Sequence, residues 1–161
     1  MTEKISNIQL SPHLAVPNEA SLSHSSKLDG IRLTPHFTLS EFLNLSKYPD
    51  NIPTIGQITN MRYGCLHLLE PARSIVGPIL INSGFRSSRI NALVGGVRTS
   101  QHLLGQAADI RPQDPQQFQR LIAFLKENHY TDQLLTGPGW LHISWNPFAP
   151  PRHYIRLGYY K

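Results

Sequence analysis

The sequence predicts an α+β domain, and three observations carry that expectation. Apolar residues recur at three- and four-residue intervals in two separate stretches, the period of helices with one buried face. Short runs such as Pro78-Ile79-Leu80-Ile81-Asn82 and Trp140 to Trp145 have the length and apolar content of strands. The two kinds of segment mix without a strand–helix–strand repeat, which argues against a doubly wound parallel sheet.

Taken in chain order, residues 1–34 are rich in Ser, Asn, His and Pro and show no sustained period, so an extended arm or partner-binding extension is expected there. The domain proper, residues 35–146, opens at Thr38-Leu39-Ser40-Glu41-Phe42. Thr38 or Ser40 is placed to cap a short helix, and Thr38 and Glu41 stand at capping-box spacing. A second helix is expected from about residue 58 to 76, with Ile58, Met61, Cys65, Leu68, Leu69 and Ala72 along one face. Pro71 predicts a kink in it or a division into two helices.

Pro78 to Asn82 reads as a short buried strand ended by Ser83-Gly84. Arg86 to Leu93 reads as a loop or short helix, and Gly95-Gly96 as a turn. Ala107-Ala108-Asp109-Ile110 forms another strand. Pro115 to Asn128 is the clearest amphipathic helix, with Phe118, Leu121, Ile122 and Leu125 on one side. Gln133-Leu134-Leu135 and Trp140 to Trp145 are strands joined by the turn Gly137-Pro138-Gly139. The tail, residues 147–161, is rich in Pro and Tyr and receives no element.

A chain of 161 residues supplies one core. At 40% hydrophobic and 16% charged, its composition is that of a globular protein. No stretch approaches the roughly 18 apolar residues of a membrane span. Met1 to Leu10 alternates polar and apolar residues, so synthesis in the cytoplasm without a signal peptide is expected. Cys65 is the only cysteine, which excludes an intrachain disulfide and restricts a metal site to nitrogen and oxygen ligands. Its apolar surroundings predict a buried, inert thiol. The net charge of +5 is dispersed over positions such as Arg62, Arg73, Arg89, Arg98 and Arg111, not gathered in a stripe, so nucleic acid is not an expected partner.

The chemistry concentrates in Ser100-Gln101-His102-Leu103-Leu104-Gly105-Gln106-Ala107-Ala108-Asp109 and in Trp140-Leu141-His142-Ile143-Ser144. A catalytic zinc takes three protein ligands, mostly His and carboxylate, and keeps a fourth position for water. His102 precedes Asp109 by seven residues, and Gly105 between them lets the chain turn so that both face one ion. Strand alternation puts Trp140, His142 and Ser144 on one face, over a core face of Leu141 and Ile143. Ala108 and Ile110 face inward around Asp109 in the same way.

Ser100, His102, Gly105, Ala107 and Asp109 match the Ser-x-His-x-x-Gly-x-Ala-x-Asp signature of the zinc D-Ala-D-Ala carboxypeptidases and dipeptidases, which the chain resembles over about residues 35–146. Trp140 to Ser144 resembles the family strand that bears the third ligand. Ser83-Gly84-Phe85-Arg86-Ser87, Asn91 and Val94-Gly95-Gly96 resemble the branch found in bacteriophage and bacterial wall-peptidase genes. The resemblance implies the fold shared with the Hedgehog signalling domain, a small antiparallel sheet with flanking helices. It also implies Zn2+ held by His102, Asp109 and His142, with Arg86 contacting substrate. A guanidinium suits a peptide carboxylate or carbonyl, and Ser100 either hydrogen-bonds near the site or caps the turn.

One part of the pattern is missing. Related sequences carry a Glu a few residues before the third ligand, as the base that handles the proton of the attacking water. Between Asp132 and His142 this chain has none. Asp132 is the nearest substitute, with Glu127, His129 and His153 as distant candidates. The expected activity is a zinc metallopeptidase cutting peptidoglycan stem peptides near D-alanine, as carboxypeptidase or endopeptidase, and a basic surface would suit an anionic wall polymer. Such a protein fits a phage or prophage product that reaches the wall after lysis or delivery, or within a virion, with residues 1–34 as the docking arm. The alternative is a non-catalytic zinc module that binds the wall or builds a virion.

Overall fold

A computed structural model of the chain describes Leu28 and residues 30–158. Most of the expected extension, residues 1–34, therefore lies outside the described residues. Its last part joins the domain: the Leu33 N–H donates to the Phe37 carbonyl at 3.0 Å, and both side chains are buried in the core.

Helix α1 (Leu39–Leu43) starts after Thr38, whose backbone N–H donates to the Glu41 carboxylate at 2.6 Å. That is the reciprocal bond of a capping box. Helix α2 (Ile55–Gly64) begins three residues before its first expected apolar position, because Thr54 and Gln57 form a second capping box. It runs through a π-helical turn, Cys65–Leu69, into α3 (Glu70–Val76). Pro71 accounts for the widened turn, since its ring displaces, and its missing N–H cannot satisfy, the carbonyl of His67 four residues earlier. The Asn128 side chain satisfies that carbonyl instead, at 3.2 Å. Met61, Cys65, Leu68, Leu69 and Ala72 form the expected buried face, and burial pushes the Cys65 thiol far above its ordinary pKa.

Strand β1 (Ile79–Ser83) departs from the expectation of a buried strand. Only Ile79 is buried, because β1 is an edge with one neighbour. Ser87 caps α4 (Ser88–Leu93), accepting from the Ile90 N–H. Strand β2 (Ala107–Pro112) follows, then a 3-10 turn at Pro115–Gln117 and helix α5 (Phe118–Glu127), which buries Leu121, Ile122 and Leu125. Strands β3 (Gln133–Gly137) and β4 (Trp140–Ser144) form a hairpin, and the tail adds β5 (Tyr154–Arg156). The sheet order is β1-β2-β4-β3-β5. The first three pairings are antiparallel, whereas β5 runs parallel to β3.

One face of the sheet presents Ala108, Ile110, Leu134, Leu141 and Ile143 to the helices, and all are fully buried. Trp145 closes the junction of helix and sheet. Its indole N–H donates to the Asn60 carbonyl at 2.8 Å, and its ring lies on Gly64, where a Cβ would come within 2.2 Å of it. The opposite face is left open, and the alternation that fills the core aims Asp109 and His142 toward it. Among the described residues no helix is long and apolar enough to cross a membrane.

Candidate metal centre

The antiparallel register of β2 and β4 sets Asp109 directly opposite His142. Such cross-strand neighbours share a face with their Cβ atoms about 5 Å apart. His102 arrives from a 3-10 turn, Gln101–Leu104, ended by Gly105 at φ 66°. A side chain at position 105 would pay twice, since left-handed backbone strains non-glycine residues and the added Cβ would meet the Gln57 carbonyl at 2.6 Å. Helix α2 anchors this turn: Gln57 and Asn60 side chains donate to the Leu103 and Leu104 carbonyls, each at 2.9 Å.

His102 Nε2, Asp109 Oδ1 and His142 Nδ1 converge. His142 Nδ1 lies 2.9 Å from Asp109 Oδ1, and His102 Nε2 lies 3.3 Å from each of them. Ligands about 2 Å from one ion at tetrahedral angles stand about 3.3 Å apart, so the trio fits a single divalent ion with an open fourth position. His102 Nδ1 donates to the Gly84 carbonyl at 2.6 Å, which leaves the Nε2 lone pair facing the cluster. Burial lowers the His102 pKa and keeps the ring neutral against the opposing pull of Asp109. For Asp109, burial alone would raise the pKa, but its close contacts with the His102 and His142 rings outweigh it and hold the group well below the carboxylate range. Two imidazole nitrogens and a carboxylate oxygen are a zinc-type donor set.

Arg86 is buried beside this cluster. Its Nη2 donates to Asp109 Oδ2 at 2.6 Å and its Nε to Ser83 Oγ at 2.9 Å. The guanidinium thus holds the ligand carboxylate from behind, a contact that the expectation of a substrate-binding Arg86 did not include. Ser100 borders the same cleft and begins the 3-10 turn without a side-chain cap bond.

Asp132 also borders the cleft, but its oxygens are occupied. Oδ1 accepts from the Arg152 backbone N–H at 2.8 Å, and Oδ2 accepts from Arg152 Nη2 at 2.5 Å, Gln101 Nε2 at 3.0 Å and Ser144 Oγ at 3.3 Å. Burial alone would raise its pKa, but the bonds from Arg152 and Gln101 carry it from 3.8 down to about 2. A carboxylate so held is a poor proton acceptor near neutral pH. Glu127, His129 and His153 are exposed and border none of the cleft. Sequence reasoning missed Gly84 and Gln101, and above all Arg152, which lies in a tail without periodicity.

Asp132 gives the fold a pH dependence. A carboxyl whose pKa is lower in the folded than in the unfolded chain stabilises the fold above the unfolded value, and this contribution fades as pH falls through the folded one. Stability should therefore decline from about pH 4 toward pH 2, with Asp109 acting in the same direction. Urea midpoints measured across that range should show Asp132→Asn starting lower at neutral pH and losing less on acidification than wild type. Parallel curves would refute the assignment.

Comparison with known proteins adds two findings. The family model for peptidase M15 matches residues 36–144. The zinc D-Ala-D-Ala carboxypeptidase of Streptomyces albus G is 38% identical over 74 residues, which cover 45% of this chain and 28% of that protein.

Proposed function

The chain belongs to the peptidase M15 family, and on that premise we propose that it is a zinc-dependent peptidase acting on peptidoglycan stem peptides near D-alanine. The observation that carries this reading is the convergence of His102 Nε2, Asp109 Oδ1 and His142 Nδ1 within 3.3 Å of one another on the wall of an open cleft. Zinc bound there would polarise the scissile carbonyl and acidify a water. The rest falls to the chain's own side chains. The Gly84 carbonyl fixes the His102 proton on Nδ1, and Arg86 fixes the Asp109 carboxylate. Leu135 and Trp140 give the cleft an apolar wall against which a peptide side chain can shed water.

A specific observation favours a second reading, a zinc module that binds wall peptide with little or no turnover. Among the described residues the only carboxylates bordering the cleft are Asp109, assigned to the metal, and Asp132, held by Arg152. Lack of a general base costs about 100- to 10,000-fold in rate. In either case a phage or prophage origin, with the wall reached by lysis or within a virion, is part of the proposal.

Incubation of the purified chain with muropeptides, with and without a chelator, tests the first reading. Slow release of D-alanine or a D-alanyl dipeptide that stops on chelation and resumes on adding zinc is expected. Zinc-dependent binding without product would leave the second reading standing, and product formation indifferent to chelation would remove both.

A further inference from the structure

We propose that Arg152 is the specificity-determining residue of this cleft, receiving a carboxylate of the bound peptide. The proposal deepens the peptidase reading, since it concerns the same cleft. Arg152 stands beyond the family match of residues 36–144 and returns to the cleft just before β5.

The guanidinium is fixed on one side only. Nε and Nη2 meet Asp132 Oδ2 at 3.0 and 2.5 Å, and Nη2 also donates to Gln101 Oε1 at 2.9 Å. Among the described residues Nη1 makes no hydrogen bond, and the side chain remains 58% exposed, against 10% for Arg86. Asp132, almost fully buried, acts as the positioning residue that holds this fork in the cleft. A pre-oriented guanidinium with one open edge suits a carboxylate.

Charge and position agree. Among the described residues the charged side chains bordering the cleft are Arg86, Arg152, Asp109 and Asp132, whose formal charges cancel, so a bound divalent ion leaves this lining positive. Asp132 hydrogen-bonds Ser144, two residues along β4 from His142. Two strand residues span about 7 Å, while a peptide advances at most about 3.8 Å per residue. A carboxylate on Arg152 would thus lie within about two or three residues of a carbonyl at the metal cluster. That carboxylate is either the peptide's C-terminus or the side chain of an acidic residue.

The test uses the zinc-loaded full chain and three probes: an N-acylated peptide ending in D-alanyl-D-alanine, its C-terminal amide, and an amidated peptide bearing a glutamate side chain in place of the last residue's methyl group. Affinity is read by calorimetry, with kcat/KM where turnover is measurable. Wild type should favour the free carboxylate over its amide by about 10- to 100-fold, the range of a charge-assisted hydrogen bond. Arg152→Gln should lose most of that preference with zinc content unchanged, and Arg152→Lys, which keeps a cation for Asp132, should retain part of it. Recovery of affinity with the glutamate peptide would assign the contact to a side chain instead of the terminus. Equal affinity of wild type for all three probes, a comparison independent of any variant's folding, would overturn the proposal, as would an undiminished preference in Arg152→Gln. Carboxylate preference in a chain that takes up no zinc would uphold the Arg152 assignment and sink the metal reading.

Discussion

Replacing His102 with alanine is expected to take the chain from about one bound zinc to none under zinc-replete conditions, following the three-ligand pattern, and to abolish chelator-sensitive activity. The remaining donors, Asp109 Oδ1 and His142 Nδ1, sit side by side on neighbouring strands. Removing an outer-shell partner of a metal ligand costs about 10- to 100-fold in metal affinity or activity, and removing a ligand should exceed that. Arg86→Gln provides the graded comparison. It leaves all three donors and removes the charge behind Asp109 Oδ2, so its loss should stay within the outer-shell range. Metal analysis of the purified proteins, with circular dichroism to verify folding, decides the matter. Stoichiometric zinc in folded His102→Ala would show that the ion sits elsewhere.

The second large effect concerns stability. Trp145→Ala removes a fully buried indole that spans the junction between α2 and the sheet, together with its N–H bond to the Asn60 carbonyl. Truncating a buried Trp costs about 3–5 kcal/mol. A chain of this size loses roughly 2–4 °C of Tm per kcal/mol, so a drop of about 6–20 °C is expected. Gly64 opposes the ring without a side chain, so nothing stands ready to fill the space. A calorimetric shift of less than about 2 °C would show that the site collapses around the missing ring more completely than the packing implies.

The parts legible in the sequence are those written as a period. Alternation along β4 separated Leu141 and Ile143 from His142, and the spacing of Met61, Cys65, Leu68 and Ala72 defined the helix face that covers them. The structure brings His102, Asp109 and His142 together, as the resemblance implied, since adjacent strands and a glycine turn suffice to do it. What could not be read depends on contacts distant in sequence. Strand β5 is three residues long and pairs in parallel, so it leaves no pattern in the tail. The position of β1 at the sheet edge follows from strand order, which its own residues do not encode. Asp132 offered no sign of its partner, because Arg152 lies 20 residues away in a segment of prolines.

The parallel pairing of β5 has a consequence for biosynthesis. Gln133–Gly137 leaves the ribosome well before Tyr154–Arg156, and in that interval its outer backbone groups are unpaired while Asp132 lacks its guanidinium. An open strand edge beside a carboxylate awaiting burial invites mispairing with another nascent chain. Translation must therefore pass Arg156 before this half of the protein can settle, whatever the progress of the helices made earlier.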